Sequence, residues 1–262
     1  MAAAAIALIA GASGDVALRL GLGMLGLQFA IGAANEVADE ATDAVGNPAK
    51  PIPAGAVPRG LAVAVSVVAA AVGLLFAATV AVGALIVGIG GLADGLIYDL
   101  RLKRTPFAWV PFAAGVGLLP LYAWWGARGT VPVAFLAVMG LAVVAGAMLA
   151  LANAYADIDK DRVSGITSAA TLLGGRRTLA VDAALMLFVQ LIACATTVGI
   201  GGSEWLLLVE VCGSALGWFG IGIATVLIER LRPLVWEIQG VAVLILGTAW
   251  LVALNSAGAL RS

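Results

Sequence analysis

Histidine is absent from the 262 residues, which excludes a histidine metal site and a histidine general base. Cysteine is almost absent. Cys194 and Cys212 lie in apolar runs without metal-type spacing and read as small buried hydrophobes. Charge is scarce as well: 11% of residues are Asp, Glu, Lys or Arg, where a soluble domain carries about 25%. With 63% hydrophobic residues and a mean hydropathy of +1.10, too few polar groups remain to cover a globular surface. The chain is therefore expected to be a polytopic membrane protein with the lipid bilayer as its partner. No nucleic-acid partner is expected.

The polar residues that do occur are concentrated in two copies of one pattern. Asn35-Glu36-Val37-Ala38-Asp39-Glu40-Ala41-Thr42-Asp43 and Asn153-Ala154-Tyr155-Ala156-Asp157-Ile158-Asp159-Lys160-Asp161 both read Asn-x3-Asp-x3-Asp, 118 positions apart. Four residues are close to one helical turn, so each Asn-Asp-Asp set falls within about 80° of one helix face. Two such faces meeting would gather four carboxylates and two amides, an arrangement that needs cations in a low-dielectric surrounding. Divalent Mg²⁺ takes oxygen ligands and commonly binds through one or two carboxylates plus substrate phosphate. The pattern therefore predicts a divalent-metal site for a diphosphate, with Asn35, Asp39, Asp43, Asn153, Asp157 and Asp161 as its ligands. Acidic helix ends in solvent are the plainer alternative, and duplication in register weighs against it. Asp159 should face away from the pocket, and Glu36 and Glu40 lie one position off the ligand face.

Apolar runs predict an all-α fold with nine spans at about 1–13, 16–44, 58–79, 81–100, 107–126, 131–158, 177–199, 204–228 and 234–256. The first is about a dozen residues long and lacks the basic n-region of a signal peptide; it reads as a short or N-terminally cut first helix. If the loop after the first motif is cytoplasmic, alternation puts 45–59, 100–106, 159–177 and 229–233 on the same side. Those loops hold Lys50, Arg59, Arg101, Lys103, Arg104, Lys160, Arg162, Arg176, Arg177, Arg230 and Arg232, leaving only Arg19, Arg128 and Arg261 of the 14 basic residues elsewhere. The positive-inside rule then places both motifs on the cytoplasmic face. The expected organisation is one transmembrane domain, 1–262. It comprises two parallel four-helix repeats around a central cavity (about 1–100 and about 107–228) and an added helix at about 234–256.

Basic residues flank the acids. Lys50-Pro51-Ile52-Pro53-Ala54-Gly55 follows the first motif, and Tyr98-Asp99-Leu100-Arg101-Leu102-Lys103-Arg104-Thr105 closes the fourth helix. Such cations would neutralise a diphosphate leaving group, although membrane anchoring also accounts for Arg101, Lys103 and Arg104. Trp124, Trp125, Trp205 and Trp236 fall where interfacial anchors do. Arg19 reads as snorkelling, and Gly83, Gly88, Gly90, Gly91 and Gly95 as close helix packing. Glu210 has no evident partner.

The first motif with Lys50-Pro-Ile-Pro-Ala-Gly, the Tyr98 to Arg104 stretch, and the second motif with Arg162-Val163-Ser164-Gly165 and Leu172-Leu173-Gly174 together resemble the UbiA family of intramembrane prenyltransferases, in order and over nearly the whole chain. The chain departs from that family at Glu36, usually Asp, at Arg101, where Lys is often seen, and in its short first helix. The resemblance implies Mg²⁺-dependent transfer of a polyprenyl group from its diphosphate to a hydrophobic or aromatic acceptor, through an allylic carbocation. Asp39, Asp43, Asp157 and Asp161 would be the catalytic carboxylates. Asn35, Lys50, Tyr98, Arg101, Lys103 and Asn153 would bind substrate. It also implies an integral protein of a bacterial plasma membrane. The same carboxylates could instead serve a cation-coupled transporter of an anionic substrate, or survive in a non-catalytic lipid-binding relative. Transporters, however, place their sites near the midplane.

Overall fold

The computed structural model describes residues 1–226 and 233–260. All regular structure among them is helical. The helices are α1 (Ala2–Ile9), α2 (Gly14–Gly46), α3 (Arg59–Ala78), α4 (Val82–Ile97), α5 (Trp109–Arg128), α6 (Phe135–Ala156), α7 (Ile158–Val163), α8 (Ala169–Leu173), α9 (Gly175–Gly199), α10 (Glu204–Val226) and α11 (Pro233–Ser256). A π-helical turn, Tyr98–Leu102, continues α4. Eight helices among the described residues are long and apolar enough to cross a membrane. The expected first span is not one of them: α1 has eight residues, about 12 Å against a hydrocarbon core of about 30 Å. Arg230, Arg232 and Arg261 lie outside the described residues.

Contacts divide the chain into two compact units, 1–103 with 121–130, and 104–120 with 131–262. In the first, Ser13 caps α2 by accepting from the Val16 N–H. The 33 residues of α2 make about 50 Å of helix, more than a bilayer core requires, and its polar end carries Asn35 to Asp43. Glycine lets α2 and α3 touch through their backbones. A Cβ on Gly26 would meet Gly73 at 2.9 Å, and one on Gly73 would meet the Gly23 carbonyl at 2.8 Å. Ser66 Oγ donates to the Ala30 carbonyl at 2.8 Å across the same contact. On α4, Gly83 receives the Trp125 ring and Gly95 receives Ile31, whereas Gly90 and Gly91 face open space and do not serve the expected packing.

The second unit is built around α6. Met148 and Leu149 pack with Met186 of α9 and Ile221 of α10, and Gly146 admits the α5 backbone at Ala113. Near the end of α6, Ala152 and Tyr155 pack with Val235 of α11, Leu179 and Ile223. Several sequence readings need correction. Trp124 is buried rather than interfacial, because its ring faces inward from α5. Cys212 is exposed, and Cys194 is only half-buried. Arg19 is ion-paired one turn back, toward the start of α2, to Asp15 at 2.9 Å, which leaves its reading as snorkelling in place. Glu210 has a partner after all: Thr197 Oγ1 donates to its Oε1 at 2.6 Å.

Candidate functional site

The first motif lies on uninterrupted helix, and two lysines from outside that helix close over it. Lys103 Nζ donates to Asn35 Oδ1 and Asp39 Oδ2. Lys50 Nζ stands 3.0 Å from Glu36 Oε1 and 2.9 Å from Asp43 Oδ2. Each lysine is delivered by a local backbone device. Lys50 sits in the turn-rich segment after α2, its N–H bonded to the Asn47 carbonyl, with Ala54 N–H returning to the Lys50 carbonyl at 2.9 Å. Ile52 is buried and anchors that segment. Lys103 follows the π turn, its N–H reaching the Tyr98 carbonyl five residues back at 2.8 Å. The wider turn changes the angle at which Lys103 leaves the helix, and single π turns of this kind are frequent at functional sites. Arg101, on the turn itself, is exposed, and no described residue pairs with it. Thus Asn35, Asp39, Asp43, Lys50 and Lys103 are brought together, whereas Arg101 is not.

Burial makes these pairs more than surface ion pairs. Asp39 and Asp43 keep 13% and 17% of their side-chain exposure, so solvent screens them weakly. Burial works against the Lys50 ammonium, but hydrogen bonds and charges from Asp43 and Glu36 outweigh it and hold its pKa above the ordinary lysine value. Two further acids join the set. Glu36 spends one oxygen on Lys50 and leaves Oε2 buried without a hydrogen-bond partner. Asp99 likewise leaves Oδ2 buried without one, within the field of Lys103 and Asp39. Glu40 turns instead to Arg59.

The second motif is built differently. α6 ends at Ala156, Asp157 takes φ −97° and ψ 4°, and α7 starts at Ile158. The expected continuous helix is therefore broken at Asp157, yet the four-residue step survives. Asp157 N–H reaches the Asn153 carbonyl at 3.3 Å, and Asp161 N–H reaches the Asp157 carbonyl at 2.9 Å. Asp157 pairs with Lys160 at 2.9 Å and keeps 46% side-chain exposure. Asp159 pairs with Arg162 at 3.4 Å, with about half of each side chain exposed. Burial pushes the Asp161 carboxyl above the ordinary range; a hydrogen bond with Ser168 opposes the shift, and the Asp157 charge adds to it. Ser168 is itself fixed as the N-cap of α8, in a reciprocal box with Thr171.

Among the described residues no group of three His, Cys, Asp or Glu side chains stands close enough to hold a metal ion as it is. The chemistry of the first motif nonetheless fits a hard cation. Every donor is oxygen, Glu36, Asp39 and Asp43 are ion-paired to two ammonium groups with Asp99 in the field of one of them, and two carboxyl oxygens, of Glu36 and Asp99, are buried without a partner.

Residues 1–236 match the profile of the UbiA prenyltransferase family. The chain belongs to that family. A search of curated proteins finds no match. Among solved structures, a digeranylgeranylglyceryl phosphate synthase is 15% identical, with 97% of this chain and 93% of that one aligned at a TM-score of 0.72. A UbiA homolog from Aeropyrum pernix K1 is 23% identical over 92% and 94%, TM-score 0.69. One from Archaeoglobus fulgidus, bound to GPP and Mg²⁺, is 17% identical over 96% and 94%, TM-score 0.70. At these identities the likeness is one of fold. This UbiA-family prenyltransferase is accordingly an integral membrane protein.

Three features of the region were not legible in the residue pattern. Asp99 was visible only as a neighbour of Tyr98, Ser168 as one serine in a loop, and the π turn not at all. Their roles depend on what packs beside them, and neither hydrophobic period nor motif spacing carries that information.

Proposed function

We propose that this UbiA-family protein transfers a polyprenyl group from its diphosphate to a hydrophobic or aromatic acceptor within the bilayer, at the cytoplasmic face. The observation that carries the reading is the seating of the Lys50 and Lys103 ammonium groups on the oxygens of the first motif. A surface that binds cations this way can exchange them for a metal while the lysines turn to an anion. Binding of GPP and Mg²⁺ by the Archaeoglobus fulgidus homolog supports the same assignment.

In this reading Asp39, Asp43, Asp157 and Asp161 hold Mg²⁺, with Asn35 and Asn153 as neutral oxygen ligands. When bound, Mg²⁺ supplies positive charge that neutralises the donor's diphosphate. Lys103 and Lys50 release their carboxylates and bind phosphate oxygens, lowering the cost of the negative charge that grows on the leaving group. Tyr98, at the start of the π turn that carries Lys103, extends the same rim, whereas Arg101 stays in solvent. As the C–O bond breaks, both electrons leave with the diphosphate, and the allylic carbocation is taken by the acceptor, which then loses a proton. Apolar spans keep water from the cation. Purified protein given Mg²⁺ and a polyprenyl diphosphate should release diphosphate and form a covalent product once an acceptor is present. Uptake of the diphosphate into proteoliposomes with no covalent product would sink this reading and favour a transporter.

A further inference from the structure

Well inside the second unit, a carboxyl and an amide face each other with one unsatisfied oxygen apiece. Asp182 of α9 is 1% exposed and Gln239 of α11 is fully buried. Gln239 Nε2 donates to Asp182 Oδ2 at 2.6 Å. Asp182 Oδ1 and Gln239 Oε1, the remaining oxygen of each group, are both buried with no hydrogen-bond partner. Both residues lie in helices fit to cross the membrane, Asp182 about 10 Å along α9 from its start. No described Lys or Arg is paired with it. One turn earlier, Thr178 directs its hydroxyl to the Gly174 carbonyl at 3.0 Å. One turn later, Met186 is packed among Met148, Leu149 and Ile221.

An ionised Asp182 would be an uncompensated charge in a dry, membrane-embedded core, holding a single neutral hydrogen bond and repelling the Gln239 Oε1 dipole beside it. One proton removes both faults. Placed on Oδ1 it gives that oxygen a donor to offer, and Gln239 Oε1 is the acceptor left without one. We infer that Asp182 and Gln239 form a protonated acid–amide pair closed by two hydrogen bonds, which locks α11 to α9. The lock has a specific place. Leu179, three residues before Asp182, and Val235, four before Gln239, pack with Ala152 and Tyr155 at the end of α6, where Asn153 leads into Asp157. Asp182 and Gln239 are thus positioning residues for the second motif, and that clause alone rests on the metal-site reading.

The test uses the full-length protein in lipid nanodiscs at neutral pH. The infrared spectrum of wild type minus D182N should contain the carbonyl stretch of a protonated carboxylic acid. Subtracting D182N separates Asp182 from every other carboxyl, including Glu210, which is also buried in a span. D182N, whose amide can also bond twice to Gln239, should melt close to wild type. Q239E and D182L should melt about 4–8 °C lower. The swapped pair D182N/Q239E should recover what Q239E loses, since acid and amide have merely exchanged sides. Absence of the infrared band, or failure of the swap to restore the melting point, overturns the inference. Mg²⁺ with inorganic diphosphate should raise the melting point of wild type and D182N alike, and of D182L less. An equal rise in D182L would remove the positioning role. If wild type itself shows no rise while the band is present, the metal reading fails and the acid–amide pair stands.

Discussion

Lys103 Nζ spans Asn35 and Asp39, and that contact makes the first motif more than a row of acids. Lys103→Ala should cut turnover with a prenyl diphosphate by about 10²-fold or more and weaken its use as donor, leaving the acceptor's apparent affinity nearly unchanged; steady-state kinetics with each substrate varied in turn checks this. Asp39→Ala and Asp157→Ala should each abolish most activity, with the double variant little worse, because ligands of one cluster are not additive. Near-wild-type turnover in Asp157→Ala would remove the second motif from the site. Asp161 permits a pH prediction. Its folded pKa is raised, chiefly by burial, so the folded state binds more protons than the unfolded one above the ordinary carboxylate range. Stability is then fully present below that range, about pH 4, and declines as pH rises through the raised pKa. In metal-free buffer at neutral pH, Asp161→Asn should therefore melt slightly above wild type while losing activity.

At the scale of elements, glycine placement separates contacts that matter from those that only look similar in sequence. Gly73→Leu drives a side chain into the α2 backbone at Gly23 and Leu27 and should destabilise the protein by about 1–3 kcal/mol. Gly90→Leu projects into open space and should be tolerated; thermal melts of the two variants in the same lipid give the comparison. Sequence periodicity placed most of the helices to within a few residues, because a membrane span must satisfy its backbone internally and shows as a long apolar run. It could not distinguish Gly73 from Gly90, since both are small residues in apolar helices and the difference is the neighbouring backbone. The π turn escaped for a related reason. Tyr98 to Lys103 has no residue that forbids an ordinary helix, and Lys103 reaches Asn35 and Asp39 from the end of the wider turn.

At the scale of the molecule, eight apolar helices among the described residues fit the bilayer, and the distribution of Lys and Arg gives the expected orientation. Cysteine placed at Ala49, in the loop with Lys50, should react with an impermeant reagent only from the cytoplasmic side, and Mg²⁺ with diphosphate should slow the reaction. Labelling from outside would invert the topology and move both motifs with it. Residue chemistry alone determined membrane residence, the lack of any histidine chemistry, and the positions able to act as oxygen ligands. These follow from composition and from spacing along a helix, which are local properties. The family came from the resemblance of the motifs and the profile match over residues 1–236. Tertiary structure decided which cations meet which acids: Lys103 on Asn35 and Asp39, Lys50 on Glu36 and Asp43, and Arg101 left to solvent. It also paired Asp182 with Gln239 across 57 positions and broke the helix at Asp157. Partners far apart in the chain are chosen by packing, and a buried polar group must take whichever donor or acceptor the packing brings to it.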